Sequence, residues 1–183
     1  MHADPQQLTE AARRGDEPAL VALIDLLYPR IYAFLRRLTP NDTEAADLTQ
    51  KSFIRICKGL ASFNGRSSVS SWAHSIAYHT CVDWRRSNHR LETRSPEWWA
   101  ELVSAQPLPD ELASRHDCSR AVYASVEQLA PEVRDAIHLH YYQGLTLEET
   151  ADAMGVAAST IKYRLRQGLD ALERQWRGEM SAR

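Results

Sequence analysis

The chain has 183 residues, 44% of them hydrophobic and 25% charged, with a formal net charge of −2. This balance is typical of a soluble globular protein built as one domain or two small ones. The N-terminal sequence lacks the apolar core of a signal peptide, and the sequence contains no evident membrane span, so we expect a cytoplasmic protein without direct membrane insertion.

Helical periodicity dominates the sequence, and no alternating run of β-branched residues is long enough to found a sheet. Two helices are predicted near the start, one around Leu8–Glu17 and an apolar one over Pro18–Leu38. A third begins at Asn41, a suitable N-cap with Glu44 three residues later, and runs to about Lys58. The sequence therefore predicts an all-α protein.

The residue pattern of the third helix predicts a protein-binding surface on the face opposite its apolar face. There, one aliphatic side chain stands among polar neighbours. The residues of this face are Asp47, Gln50, Lys51, Ile54 and Lys58. An acid, amide and aliphatic patch on a rigid helix is typical of a protein interface.

A polar loop and an aromatic, basic helix follow the third helix. The loop from Asn64 to Ser68 offers small polar groups around Gly65. In the helix after it, helical spacing places two tryptophans inward and a polar set outward. We expect His74, Tyr78 and Arg85 on the outward face. Such a loop beside an aromatic, cationic face is suited to an unstacked base, as in proteins that bind single strands.

The stretch from Glu97 to Asp117 has five acids against one arginine and separates two locally basic segments. With three prolines close by and no sustained periodicity, it predicts a linker at residues 91–117 between helical domains at 1–90 and 118–183. Trp98 and Trp99 lie in this linker, where a local anchor on a domain surface is the main interpretation and partner binding the alternative.

The C-terminal domain contains a helix-turn-helix pattern from Leu145 to Leu172 with its turn at Gly155. An apolar stripe is predicted along the second helix, through Ile161, Leu165, Leu169, Leu172 and Trp176. The opposite face offers hydroxyls, an amide and cations that suit phosphates and base edges in a major groove. Its residues are Ser159, Thr160, Lys162, Tyr163, Arg166 and Gln167.

The sequence holds no pattern that favours an enzyme. The histidine pairs at 74 and 79 and at 138 and 140 have spacings that do not place two ligands on one helical face, and we expect them at the surface. The three cysteines include no CxxC pair and indicate reduced thiols. We therefore expect no catalytic residues, no metal and no cofactor.

Several motifs in one order resemble the bacterial RNA polymerase sigma factors of the extracytoplasmic-function group, in the sigma-70 family. The first domain carries RRGDEPAL, DTEAADLTQKSFIRI and FNGRSSVSSWAHSIAYHTCVDWRR, and the second carries LAPEVRDAIHLHYYQGLTLEETADAMGVAASTIKYRLRQGLDAL. The similarity runs from about Leu8 to Trp176. It implies promoter-specific initiation of transcription with core RNA polymerase and promoter DNA as partners, and control by an anti-sigma factor, either membrane-associated or soluble.

The resemblance also implies a role for each surface. Asp47, Gln50, Lys51 and Ile54 match the polymerase-binding face, although the family often has an acid where Lys51 stands. The loop residues match those that capture a flipped base of the minus-ten element: Phe63, Asn64, Gly65, Arg66 and Ser67. His74, Tyr78 and Arg85 match the face that reads and opens that element, and the exposed face of the second helix, Ser159 to Gln167, matches the one that reads the minus-thirty-five element.

One alternative is a stand-alone transcriptional regulator that uses the helix-turn-helix as a dimer. It requires a self-complementary interface and a palindromic site. It gives no role to the Asn64 loop, the basic aromatic helix or the Ile54 face, which the sigma-factor interpretation uses.

Overall fold

The structure is a computed structural model, and it describes residues 4–87 and 122–181. These residues form helices and connecting turns, with no strand among them, so the all-α prediction is confirmed. The first part contains α1 (Pro5–Arg13), α2 (Glu17–Leu38), α3 (Asp42–Gly59), a short 3-10 turn (Leu60–Ser62) and α4 (Val69–Ser87). The second contains α5 (122–127), α6 (Pro131–Ile137), a π-helical turn (His138–Tyr142), α7 (Leu147–Met154) and α8 (Ala158–Ser181).

Side-chain caps fix where the N-terminal helices begin. Asp16 accepts a hydrogen bond from the backbone N–H of Ala19 at 2.9 Å, and Asn41 accepts one from Glu44 at 2.8 Å. Each satisfies a donor that the first turn of a helix leaves unpaired. The predicted start of the third helix at Asn41 is therefore confirmed.

The core of the N-terminal half lies along α2, which packs against α1, α3 and α4. By length and composition α2 could cross a membrane, a test that the core helix of a soluble protein also passes. Its apolar stripe instead faces the other helices. The buried residues of the stripe are Leu23, Leu27, Ile31, Phe34, Leu35 and Leu38.

The C-terminal half contains the predicted helix-turn-helix. A capping box begins α7, in which Thr146 accepts from the N–H of Glu149 while the Glu149 carboxylate accepts from the N–H of Thr146. Gly155 ends this helix with a φ of +66°, a left-handed conformation that costs glycine little. The turn allows α8 to begin at Ala158.

One part of the predicted stripe on α8 is wrong. Ile161 and Leu165 are buried, but Leu169 is 48% exposed and the contact line passes through Gly168 instead. A β-carbon added at Gly168 would lie 2.6 Å from Cδ1 of Ile137, so the absent side chain is what allows α8 to lie this close to α6.

The two halves pack directly against each other, chiefly α4 against α7. The main-chain oxygen of Gln143 accepts a hydrogen bond from Nη2 of Arg30 at 2.7 Å, and its side-chain oxygen lies 3.3 Å from Nε2 of His74. Nearby, the Arg37 guanidinium carbon lies 5.0 Å from the centre of the Tyr142 ring, a cation–π arrangement. Polar groups of α2 and α4 therefore contact the turn that precedes α7.

His74 is fully buried at this junction, which contradicts the surface position expected for it. Its Nδ1 lies 2.7 Å from the Ser70 carbonyl oxygen, which only accepts hydrogen bonds, so Nδ1 carries the hydrogen. Burial lowers the pKa of His74 below its ordinary value of 6.5, and the nearby charge of Arg30 acts in the same direction. The imidazole is therefore neutral in the folded protein near pH 7.

Acidification should destabilise the protein through His74. Between pH 6.5 and the lower pKa of the folded state, the unfolded chain binds a proton that the folded chain does not. The free energy of unfolding should then decrease as the pH is lowered, by up to about 1.4 kcal/mol per pH unit for each such histidine. Urea denaturation at a series of pH values measures this slope.

The variant His74→Gln removes one titrating group and should reduce the slope below pH 6.5, leaving the part that comes from His138, whose pKa burial also lowers. His79→Gln is the matched control, because His79 is exposed on the same helix and should leave the slope unchanged. Equal slopes for His74→Gln and the unaltered protein would contradict the neutral, buried state of His74.

Candidate promoter-binding and polymerase-binding surfaces

The predicted minus-thirty-five face of α8 lies open to solvent. Tyr163 is 67% exposed, Thr160 is half-buried, and the remaining four residues of the set are exposed. All lie on the side of α8 away from its contact with α6, since Ile161 and Leu165 occupy the buried side. Hydroxyl, phenol, amide and guanidinium groups thus form one continuous polar strip on a helix long enough to lie in a groove.

The predicted base-capture loop is exposed at Asn64, Gly65 and Arg66. The side-chain oxygen of Asn64 accepts the N–H of Arg66 at 3.0 Å, and Gly65 takes a φ of +70°. This turn holds the loop in shape before any ligand arrives. Phe63, however, is buried, with its ring centre 4.9 Å from that of Trp72. Phe63 therefore anchors the loop to the core in this conformation, and its role in base contact stays a prediction.

The predicted outward face of α4 is covered by the C-terminal half. His74 is fully buried, Tyr78 is buried, and the Arg85 side chain is only 12% exposed. Burial raises the pKa of Tyr78 to about 12, with the Asp135 charge acting in the same direction. The prediction that these residues face solvent is wrong for this conformation, because polar groups of α6 and α7 match the polar face of α4.

The strongest of these contacts joins Arg85 to Asp135. The guanidinium donates from Nη1 to Oδ2 at 2.6 Å and from Nη2 to Oδ1 at 3.1 Å, a two-pronged ion pair. Burial alone would lower the pKa of Arg85, but the Asp135 carboxylate more than offsets burial and holds that pKa above its usual value. Arg85 is therefore charged at a site where its own side chain is only 12% exposed and that of Asp135 only 2%.

A second carboxylate, that of Glu149, binds the start of α4. Its Oε1 accepts hydrogen bonds from the Ser71 hydroxyl at 2.6 Å and from the Ser68 hydroxyl at 3.3 Å. The bond from Ser71, followed by that from the Thr146 backbone, lowers the pKa of Glu149 below its ordinary value. The capping carboxylate of the helix-turn-helix therefore also holds the segment that follows the base-capture loop.

The predicted polymerase-binding face on α3 is open. Ile54 is 49% exposed, and Gln50 and Lys51 are exposed beside it. The Lys51 ammonium pairs with the Asp47 carboxylate one turn earlier. The lysine that departs from the family pattern therefore neutralises an acid of the same face and leaves Ile54 beside a pair of opposite charges.

The remaining sequence predictions concern the histidines, the cysteines, a metal site, the tryptophan pair and the linker. His138 is fully buried like His74, so the expectation of surface histidines is wrong for both. Among residues 4–87 and 122–181, no three histidine, cysteine or acidic side chains form a group that could hold a metal ion. Cys57 is exposed and Cys81 is buried. Cys118, the tryptophan pair Trp98 and Trp99, and the predicted linker lie outside the described residues.

Sequence reasoning missed Asp135, Gln143 and Glu149, the C-terminal residues that contact α4. Each is an ordinary polar residue on or beside a short helix, and helical periodicity places a residue on a face without naming the helix opposite. One signal for this contact was present in the sequence: α4 has a polar, partly cationic face, and acidic residues precede α8.

Two family models match the chain: sigma-70 region 2 over residues 23–91 and sigma-70 region 4 over residues 119–172. The chain is 33% identical to the ECF RNA polymerase sigma factor SigX of Bacillus subtilis, over 86% of this chain and 84% of SigX. It is 25% identical to SigW of the same organism, over 90% of this chain and 92% of SigW.

Two solved structures share the fold. CnrH, in complex with the cytosolic domain of CnrY, superposes with a TM-score of 0.70 at 18% identity, covering 96% of this chain and 99% of that chain. The sigma factor RpoE, in complex with the anti-sigma factor NepR from Bartonella quintana, gives 0.66 at 22% identity, covering 84% and 94%. With both regions matched in order and a relative of 33% identity aligned over most of its length, the chain belongs to the extracytoplasmic-function RNA polymerase sigma factors of the sigma-70 family.

Proposed function

We propose that this sigma factor uses three surfaces on two domains, two to recognise promoter DNA and one to bind polymerase. The polar face of α8 reads the minus-thirty-five element, the Asn64 loop and α4 read and open the minus-ten element, and the Ile54 face of α3 binds core RNA polymerase. The observation that carries this assignment is the open polar strip on α8, from Ser159 to Gln167, on a helix-turn-helix with a left-handed glycine turn. The two family-model matches support domains near 1–90 and 118–183 joined by residues 91–117.

Strand opening by this protein needs binding energy and no covalent chemistry. Unstacking a base costs a few kcal/mol, and a loop that offsets this cost only for the right base couples recognition to melting. The exposed, pre-shaped loop at Asn64 to Arg66 is suited to that role. Two weak DNA-binding surfaces on one polymerase raise each other's effective concentration, so neither needs to bind tightly alone.

We further propose that the protein acts in the cytoplasm under the control of an anti-sigma factor. The support is the likeness of fold to CnrH and RpoE, whose structures contain CnrY and the anti-sigma factor NepR respectively. The exposed Ile54 face and the groove between the two domains are the expected contacts, because an inhibitor bound at the Ile54 face would exclude polymerase.

Reconstitution with core RNA polymerase tests the function directly. The purified protein should direct specific initiation from a subset of promoters in a library of genomic fragments, and core enzyme alone should not. No initiation from any fragment, together with tight dimeric binding to a palindrome by the protein alone, would establish the stand-alone regulator instead.

The variant Arg166→Glu should weaken recognition of the upstream element about tenfold or more, because a cation facing base edges or phosphate is replaced by an anion. Polymerase binding should be unchanged. Arg174→Glu is the matched control, with the same charge reversal at an exposed site two turns further along α8. Initiation rates on templates with and without the upstream element give the readout; an equal loss on both templates contradicts the assignment of Arg166.

The variant Ile54→Asp should reduce affinity for core polymerase about tenfold or more, since it places a charge where an aliphatic side chain is expected to be buried on binding. Val21→Asp is the control, because Val21 is also an exposed aliphatic residue, 54% exposed, on α2. A binding titration by fluorescence anisotropy measures both. If both variants bind like the unaltered protein, the Ile54 face is not the polymerase contact.

A further inference from the structure

The face of α4 assigned to the minus-ten element is covered in this structure by residues of the C-terminal half. Arg85 binds Asp135, Ser71 and Ser68 bind Glu149, and His74 lies against Gln143. All three C-terminal partners lie in the half that carries the helix-turn-helix. The cation and hydroxyls that would serve DNA are occupied before DNA arrives.

The chemistry of these contacts is that of a phosphate site. A guanidinium binds a carboxylate and a phosphate through the same pair of parallel N–H donors, and serine hydroxyls donate to either anion. Asp135 receives both donors of Arg85, at 2.6 and 3.1 Å, and Glu149 receives two hydroxyls at the other end of α4. Two carboxylates thus stand at the two ends of the helix, where a nucleic-acid strand along it would place phosphates.

The occlusion affects only one of the two proposed DNA surfaces. The strip on α8 stays exposed while His74, Tyr78 and Arg85 on α4 are covered. The closed protein is thus competent to bind duplex DNA through α8 and unable to bind a strand along α4 until the halves separate.

We propose that Asp135 and Glu149 are an internal competitor for the minus-ten strand, which keeps the free sigma factor from binding single-stranded DNA until its two domains separate. The proposal rests on the assignment of α4 to DNA under Proposed function. Separation exchanges one anion for another at Arg85, because a buried arginine that loses Asp135 needs a new partner or water. A phosphate supplied by DNA meets that need.

The variant Asp135→Asn keeps the shape of the side chain and removes its charge. Binding of a fluorescein-labelled single-stranded DNA of mixed sequence to the full chain should tighten about tenfold, as expected if the open fraction rises from about a tenth to nearly all. Both proteins bind the strand in the same open state, so log affinity should fall with log salt at nearly the same slope, about 0.7 for each contacted phosphate.

Glu132→Gln is the matched control, because Glu132 is an exposed acid on the same helix as Asp135 and its loss changes net charge equally. It should leave DNA affinity within about twofold of the unaltered protein, the size expected for an exposed charge screened by solvent. The double variant Arg85→Gln with Asp135→Asn should lose the gain, since the released guanidinium is absent. A gain that survives in the double variant overturns the assignment of Arg85 as the released ligand.

Where circular dichroism shows that Asp135→Asn is unfolded, Glu149→Gln with the control Glu148→Gln gives the same test at the other end of α4. Glutamine retains the capping box, so α7 should remain folded. Unchanged DNA affinity in a folded Asp135→Asn or Glu149→Gln protein overturns the proposal. If that protein still directs initiation with core polymerase, the proposed function stands; if the unaltered protein directs no initiation, the proposed function itself has failed.

Discussion

The ion pair between Arg85 and Asp135 is the contact on which the arrangement of the two halves depends. Both side chains are largely buried, so the Arg85 charge depends on Asp135 for compensation, while the Asp135 carboxylate also lies 3.6 Å from Nε of Arg134. Separation is therefore costly unless another anion or water reaches Arg85. Helix α4 is thus held against α6 by a contact that is strong when complete, yet open to exchange with a phosphate. An apolar contact of the same area would lack that exchange.

The distribution of open and covered surfaces suggests an order of events for the proposed function. The Ile54 face on α3 and the polar strip on α8 are both exposed while the halves are closed. Docking on polymerase and on upstream DNA can therefore precede separation. The face of α4 becomes available only afterwards, when a melted strand is close enough to replace the carboxylates. Such an order would limit unproductive binding of single strands by free sigma factor.

Local features of the fold were predictable from the sequence because local physics determines them. Asn41 caps α3 and Gly155 ends α7 as expected, since a cap and a left-handed turn depend on a few neighbouring residues. The open strip on α8 followed from helical period alone. The errors all concern contacts between distant segments. Leu169 is exposed because Gly168 admits α6, and His74 and Tyr78 are buried because α4 has a polar partner. Periodicity separates two faces of a helix, but it does not tell water from a polar protein surface.

The charge of the chain fits this division. A net charge of −2 is unusual for a protein proposed to bind DNA at two places, until the locations of the acids are considered. Asp135 and Glu149 both face α4, and neither lies on the strip of α8. Their fields act over roughly 8 to 10 Å, the screening length at physiological salt, so they act chiefly on the contact that they form. The same two acids that lower the net charge therefore mask one DNA surface and leave the other available. Two of the chain's 24 acids thus occupy its own cationic site, and a net charge near zero is compatible with two DNA surfaces of which one is open and one masked.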